Sequence, residues 1–221
     1  MKRLEKKKSD FRKTLNGERL FVAIQPPIEV RREILQNHQI FGSDERNFRF
    51  INPEQLHITI KFLGSDVSLD SKEQIIKEIQ NILPQIESPT IIFEGLQFGF
   101  SKQMIPRIMF YNIKATPELQ LLNRLVHEHI KDLELEDVKR EKDYKKVVYH
   151  LSVARTKHNS NKTFGRNINK LIKEKAKPIT IQFTPEKIYL IKSKLHHASD
   201  PRYEVIAQFD FNRKKKEDVK N

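Results

Sequence analysis

The stretch "QLHITIKFLG" at residues 55–64 decides the fold, because apolar and polar residues alternate along it. Successive side chains of a β-strand point to opposite faces, so this alternation predicts a half-buried strand. One predicted face carries Leu56, Ile58, Ile60 and Phe62, and the other carries His57, Thr59 and Lys61. The polar face thus holds an imidazole, a hydroxyl and an ammonium in a row, which a purely structural strand does not require.

The same order recurs in "VVYHLSVAR" at residues 147–155. Alternation there predicts one face with His150, Ser152 and Ala154, and an opposite face with Tyr149, Leu151 and Val153. In both segments a hydroxyl residue follows the histidine by two positions, and the histidines lie 93 positions apart. The repetition predicts a pseudo-twofold structure in which two histidine–hydroxyl pairs face each other across a cleft.

Composition limits the classes of protein that remain. The 221 residues are 37% apolar and 32% charged, and no run of 18 or more apolar residues occurs, so we expect no membrane association. The absence of cysteine excludes disulfides and thiol chemistry and removes the usual structural zinc sites. With six glycines, the chain has neither a Rossmann fingerprint nor a P-loop. We expect a cytoplasmic protein that needs no cofactor.

Charge divides the chain into three parts. The formal net charge is +13, of which residues 1–13 supply +5 and residues 213–221 supply +3. We therefore expect a basic flexible tail at 1–17, a single two-lobed domain at 18–212 and a second basic tail at 213–221. The remaining positive charge favours a polyanionic partner, and RNA is the natural candidate. We expect the protein to be a monomer.

Strands and helices are interleaved along the domain. Beyond 55–64, strand patterns lie at 19–25, 46–50, 90–99, 106–113, 147–155, 179–183, 186–193 and 203–211, and helical patterns lie at 28–41, 71–86, 117–135 and 164–176. Ser71 and Gln74 have the spacing of a capping box, and the charged segment 136–146 is predicted to be an exposed loop. Adjacent strand pairs favour antiparallel pairing, so the expected class is α+β.

Two histidines on facing strands can perform acid–base chemistry at a phosphodiester. Near an ordinary pKa of 6.5, one imidazole can accept a proton from water while the other protonates the leaving oxygen. The hydroxyls of Thr59 and Ser152 can donate hydrogen bonds to the non-bridging phosphate oxygens. This scheme needs no metal ion.

The two segments resemble the paired His-x-Thr/Ser motifs of the two-histidine (2H) phosphoesterase superfamily. The resemblance is strongest to the RNA 2′,3′-cyclic phosphodiesterases, also called 2′-5′ RNA ligase-like proteins. It extends over "RLFVAIQPP", "NPEQLHITIKFLG", "PRIMFYNI", "HLSVAR" and "IYLIKSKLHHASDPRYEVIAQFDF". It implies a bilobal pseudo-twofold fold, with two mostly antiparallel sheets lining a central cleft and helices packed outside.

The resemblance also implies roles for the site residues. His57 would be the proton donor to the leaving 3′ oxygen and His150 the proton acceptor that activates water, while Thr59 and Ser152 would hold the phosphate. The partner would be RNA with a 2′,3′-cyclic phosphate end, and the product would carry a 2′-phosphate and a free 3′-hydroxyl. This chain departs from the family pattern at Tyr149, where proline is usual, and at Ser152, where threonine is usual.

Several interpretations remain open from the sequence. Arg155 could contact phosphate or RNA, although strict alternation points it away from His150, and Lys61 could attract phosphate or be simply solvated. The same site could perform 2′-5′ RNA ligation, cleave 2′-5′ oligonucleotides or hydrolyse small cyclic nucleotides. A non-catalytic RNA-end binding module belongs to a different class. His127 and His129 do not share a helix face, so we expect them to be solvated and not to bind a metal.

Overall fold

The computed structural model describes residues 17–100, 105–139, 147–157, 161–176, 180–194 and 202–211. The strands are β1 (Glu18–Ile24), β2 (Phe48–Phe50), β3 (Ile58–Val67), β4 (Ile91–Phe98), β5 (Ile108–Ile113), β6 (His150–Thr156), β7 (Gln182–Phe183), β8 (Lys187–Lys194) and β9 (Arg202–Asp210). The α-helices are α1 (Ile28–Gln36), α2 (Leu69–Ile82), α3 (Pro117–Asp132) and α4 (Lys162–Lys175). Short 3₁₀ segments follow α1, precede β3 and follow α2.

The strands form one continuous antiparallel sheet in the order β7-β4-β5-β6-β3-β1-β8-β9, with β2 added beside β6. Its midpoint is the pairing of β3 with β6, which is made through Ile58 and Leu151. Along this path, with β2 left aside, four strands lie on each side of the junction, so the two halves mirror each other. The α+β, bilobal, pseudo-twofold architecture is confirmed, and the two predicted sheets are the two halves of this single sheet.

One face of the sheet carries the main hydrophobic core, against which the helices pack. Leu56, Ile58 and Leu151 are fully buried in this core, together with Ile75 and Ile79 from α2. A second, smaller cluster lies apart from it and contains Phe21, Ala23 and Ile191, with partly buried Phe62, Tyr189 and Tyr203 packed against them. The polar face of the two histidine strands is on the side of this smaller cluster.

A β-bulge interrupts the alternation of β3. Thr59 pairs with Ala23 and Lys61 pairs with Val22, so Ile60 is an extra residue. Beyond the bulge the side chains change face. The predicted position of Phe62 on the core face is therefore wrong, because Phe62 lies opposite Phe21 and packs with the smaller cluster.

The bulge also buries Lys61. It lies opposite Val22, whose side chain belongs to the main core, and only 4% of its surface is exposed. The prediction that Lys61 shares a face with His57 is therefore wrong. The alternative that its side chain is simply solvated is wrong for the same reason.

A second bulge occurs at the equivalent place in β6. Ser152 pairs with Phe110 and Ala154 pairs with Met109, so Val153 is the extra residue. Alternation had predicted Ala154 on the face of His150. The residue is instead fully buried in the main core. Arg155, which alternation had placed on the opposite face, is turned back to the side of His150 and Ser152.

Other expectations are corrected in detail. The cap of α2 is Ser68, whose hydroxyl accepts from the Ser71 backbone, so the helix begins earlier than the predicted capping box. His127 is buried and its Nδ1 lies 3.0 Å from the Asn123 carbonyl, while Nδ1 of His129 lies 2.7 Å from Oε1 of Glu78. His127 is therefore part of the packed interior, and the partly exposed His129 pairs with Glu78, so neither is simply solvated.

Some predictions fall on residues that the structure leaves undescribed. The basic tails lie outside the described residues apart from Gly17, and so does 140–146 of the predicted exposed loop. No helix in the described part of the chain is both long enough and apolar enough to cross a membrane.

Candidate active site

The site is built where the two halves of the sheet meet. Because Ile58 pairs with Leu151 in antiparallel register, the residue before Ile58 lies next to the residue after Leu151. This register brings His57 beside Ser152 and Thr59 beside His150. All four have half-buried side chains, between fully buried neighbours that face the core. The two predicted histidine–hydroxyl pairs are thus brought together, each histidine next to the hydroxyl of the other motif.

Both imidazoles are held in the same way. Nδ1 of His57 lies 2.7 Å from the carbonyl oxygen of Gln55, and Nδ1 of His150 lies 2.9 Å from that of Val148. A carbonyl only accepts, so Nδ1 must carry the hydrogen in each ring. In the neutral rings Nε2 is left with its lone pair, free to accept a proton, and in the charged rings Nε2 can donate one.

Aromatic side chains enclose each histidine. The His57 ring centroid lies 4.8 Å from that of Phe21 and 4.9 Å from that of Tyr203. The His150 ring centroid lies 5.0 Å from that of Phe100 and 5.4 Å from that of Phe110. These rings restrict the rotation of the imidazoles and exclude water from part of their surface.

Sequence reasoning missed these four aromatic residues. Phe21 and Phe110 occur in strands that are apolar on both faces, so alternation could not show which face they take. Phe100 follows Gly99, whose positive φ of 81° turns the chain at the end of β4. A Cβ on Gly99 would come within 2.6 Å of Pro106, so this turn needs glycine to place Phe100.

Burial lowers the pKa of both histidines. For His57 the pKa falls from 6.5 to about 4, chiefly through burial, while the hydrogen bond to Gln55 acts in the opposite direction. The positive charges of His150 and Arg155 lower it further. The pKa of His150 is also lowered by burial, against the hydrogen bond to Val148. Both imidazoles of the unliganded protein are therefore neutral at pH 7.

Positive charge reaches the site from the second half of the sheet. The bulge at Val153 places Arg155 on the face of His150, where its side chain is exposed. Arg49 of β2 lies directly opposite Arg155 in the cross-strand register. The exposed guanidinium of Arg155 can attract an anion beside His150.

Helix α3 supports strand β3 through a buried side chain. Asn123 is 1% exposed, and its Nδ2 donates to the carbonyl oxygen of Ile60 at 2.6 Å. This hydrogen bond satisfies a backbone group that the bulge leaves without a strand partner. It holds the backbone one residue after Thr59.

The chemistry available at the site is that of imidazoles and hydroxyls. Within the described ranges, no group of three or more His, Cys, Asp and Glu side chains is close enough together to hold a metal ion. The two Nε2 atoms can exchange protons with a bound ester, and the two hydroxyls can donate to its anionic oxygens.

A mirrored sheet that carries two His-x-Thr/Ser strands at its centre is the architecture of the 2H phosphoesterase superfamily. The model of the AKAP7 2′5′ RNA ligase-like domain matches residues 21–211. The chain belongs to this family.

Individual relatives agree with this assignment. The chain is 30% identical over 141 residues to an RNA 2′,3′-cyclic phosphodiesterase of Archaeoglobus fulgidus, a match that covers 63% of this chain and 73% of the relative. It is 28% identical over 192 residues to a protein of the same name from Methanocaldococcus jannaschii. That match covers 86% of this chain and 99% of the relative. The crystal structure of TT0787 from Thermus thermophilus shares the fold, with a TM-score of 0.69, 21% identity and coverage of 88% of this chain and 98% of that one.

Proposed function

We propose that this protein hydrolyses RNA 2′,3′-cyclic phosphate ends to a 2′-phosphate and a free 3′-hydroxyl, without a metal ion. The observation that carries the proposal is the matched pair of imidazoles. Each has its Nδ1 committed to a backbone carbonyl and its Nε2 left for proton transfer, beside the hydroxyl of the other motif. The names of the archaeal relatives support the choice of a cyclic phosphate.

In the proposed reaction, Nε2 of His150 takes a proton from a water molecule as its oxygen attacks phosphorus. The bond from phosphorus to the 3′ oxygen breaks, and Nε2 of His57 donates a proton to that oxygen. Thr59 and Ser152 donate hydrogen bonds to the non-bridging oxygens, whose charge increases in the transition state. His150 ends protonated and His57 neutral, so one proton must return from His150 to His57 or through solvent before the next turnover.

The lowered pKa values bear on which histidine is the acid. In the free protein His57 is the more strongly depressed group, so a single proton resides mainly on His150. The negative charge of a bound phosphodiester raises the pKa of a neighbouring imidazole. His57 can therefore act as the donor once the substrate is bound, and the active form of the free protein is a minor protonation state of the pair.

Arg155 is proposed to bind the phosphate backbone of the RNA next to the cyclic end. Its position on the histidine face and its exposed side chain support this role. Lys61 is not retained as a substrate contact, because its buried position faces the main core.

The proposal is tested by product analysis on a panel of substrates. The panel contains an RNA oligonucleotide with a 2′,3′-cyclic phosphate, the same RNA with a 3′-phosphate, and a 2′-5′-linked oligonucleotide. We expect turnover of the cyclic phosphate to a 2′-phosphate in the presence of chelator. Tight binding of the cyclic end without turnover would replace hydrolysis by a recognition function.

A second candidate is chemistry at a 2′-5′ linkage, in the direction of either ligation or cleavage. The description of the matching family as 2′5′ RNA ligase-like favours it. The same panel distinguishes this candidate from hydrolysis of the cyclic phosphate. If the 2′-5′ oligonucleotide is cleaved faster than the cyclic phosphate, cleavage of the 2′-5′ linkage is the principal activity. Incubating the 2′,3′-cyclic phosphate RNA with a 5′-hydroxyl RNA would reveal ligation, in which the 5′ hydroxyl replaces water as the nucleophile and the 3′ oxygen leaves with a proton.

We further propose that residues 18–212 form the folded unit, that the protein acts as a cytoplasmic monomer and that the basic tails add attraction for RNA. The net charge of +13 supports attraction to RNA. Light scattering on the purified chain checks the monomer, and fluorescence imaging of the tagged protein checks the location.

A further inference from the structure

A cavity lies behind the catalytic strands, on the side of the sheet opposite the two imidazoles. Its volume is about 480 Å³, within the range of small-molecule sites. It is formed between the first two turns of α3 and the backbone that leads into β6. The lining residues are Ala115, Pro117, Gln120, Leu121, Asn123, Arg124, Val147 and Tyr149.

Tyr149 adds a phenol to the lining of this cavity. The residue is only 4% exposed, and it lines the cavity. Burial raises the pKa of this hydroxyl to about 12, so it remains a donor at any physiological pH. As a lining residue, Tyr149 offers a phenol that can donate a hydrogen bond to a bound molecule.

The rest of the lining favours an anion with an apolar body. Arg124 supplies a guanidinium one helical turn from Gln120, and the described lining contains no aspartate or glutamate. The start of α3, capped by Thr116, adds the positive end of the helix dipole. Pro117 and Leu121 provide an apolar wall, of which Leu121 is 41% exposed.

We propose that this cavity binds a small organic anion, up to the size of a mononucleotide. Its charged group lies on Arg124, its apolar part lies against Pro117 and Leu121, and a polar atom accepts a hydrogen bond from Tyr149. The 2H superfamily usually has proline at the position of Tyr149, so the phenol is a feature of this chain. The proposal is independent of the reaction at the other face.

The cavity is joined to the catalytic residues through the backbone. Val147 and Tyr149 line it, and the carbonyl of Val148 between them accepts the hydrogen bond from Nδ1 of His150 at 2.9 Å. On the other side, the Asn123 side chain that lines the cavity holds the Ile60 carbonyl. A ligand that moves Val147 or Tyr149 therefore changes the position of His150.

The test is a titration of the full chain with benzoate, phenyl phosphate and AMP, with benzamide as a neutral control. Binding is measured by calorimetry, and the ring resonances of His150 are followed by NMR in the same titrations. The variants are Arg124→Ala, which removes the charge, and Tyr149→Phe, which removes only the hydroxyl. Arg166→Ala, at an exposed arginine of α4, is the matched control.

We expect saturable binding of at least one anion and none of benzamide, with displacement of the His150 resonances. Arg124→Ala should weaken binding about tenfold, Tyr149→Phe should weaken it several-fold, and Arg166→Ala should change it less than about twofold. The carboxylate and phosphate probes identify which anionic group is preferred. Binding that neither pocket variant weakens, equal binding of benzamide, or no saturable binding of any anion would overturn the proposal. Because binding is the readout, failure of the proposed hydrolysis would not produce these results.

Discussion

The two histidine strands are alike up to the hydroxyl residue and its bulge, and then they diverge. In both, the histidine donates from Nδ1 to the carbonyl two residues earlier, and one extra residue follows the hydroxyl residue. After the bulge, β3 presents Phe62 to the cleft side and β6 presents Arg155. The shared part of the strands is what acid–base chemistry on a phosphodiester needs. The divergent part distinguishes an aromatic half of the cleft from a cationic one.

The surroundings of Phe62 and Arg155 extend this difference. The Arg19 guanidinium lies 4.5 Å from the Phe62 ring centroid and the Lys139 ammonium lies 5.4 Å from it. Arg155 instead has Arg49 directly opposite. We infer that the β6 half holds the charged backbone of the RNA, whereas in the β3 half the cations lie against an aromatic ring.

The largest expected effect is the loss of either imidazole. His57→Ala and His150→Ala should each lower kcat on cyclic-phosphate RNA by roughly 10²–10⁴, because each removes one proton transfer. The two variants should differ on an ester with a p-nitrophenolate leaving group, because this group leaves without being protonated. On that substrate, the loss of kcat in His57→Ala should be much smaller than the loss in His150→Ala.

His129→Ala, which removes a histidine paired with Glu78 far along α3, is the control and should leave turnover unchanged. Equal losses of both active-site variants on the aryl substrate would contradict the assignment of His57 as the acid.

The hydroxyls come next in size. Thr59→Val and Ser152→Ala should each lower kcat about 10²-fold with little change in KM, because these donors act mainly on transition-state charge. Thr59→Ser and Ser152→Thr keep the hydroxyl and should retain most of the rate. A loss in the conservative variants as large as in the apolar ones would show that shape, not hydrogen bonding, is important there.

The third effect is the pH dependence of stability that His57 contributes. Its pKa is about 4 when folded and near 6.5 when unfolded, so the unfolded chain binds more protons and stability falls as the pH drops below 6.5. Between pH 7 and pH 5 the loss from His57 should be about 2 kcal/mol. Urea unfolding at the two pH values measures it, and His57→Gln should reduce the difference by that amount. An unchanged difference in the variant would mean that His57 is not buried in its neutral form.

The smallest expected effects come from replacing Arg155 and Phe62, the residues that the two strands present to the cleft after their bulges. Arg155→Ala should raise KM for RNA about tenfold and reduce the dependence of binding on salt, because one phosphate contact is lost. Phe62→Leu should change KM less than about threefold and leave the salt dependence intact. Arg166→Ala is the control for removing an exposed arginine. A larger salt effect from Phe62→Leu than from Arg155→Ala would reverse the assignment of the cationic and aromatic halves.

The fold and the pair of motifs could be predicted because alternation with a period of two is a strong local signal. The bulges could not, because Ile60 and Val153 are apolar residues that fit the expected pattern equally well in either register. Each bulge reverses the face of the residues that directly follow it. The positions of Lys61, Phe62, Ala154 and Arg155 therefore depended on long-range pairing, not on local sequence. Phe21 and Phe110 were equally hidden, since strands that are apolar on both faces have no readable polarity.

The central claim is that the two imidazoles act as one acid–base unit. Its most direct test is single-turnover hydrolysis of cyclic-phosphate RNA in chelator by the wild type, both single alanine variants and the double variant. Each single variant should lose roughly 10²–10⁴ in rate. The double variant should be at most about tenfold slower than the slower single variant, because the two proton transfers depend on each other. Multiplicative losses in the double variant, or activity that appears only with added divalent metal, would contradict the claim.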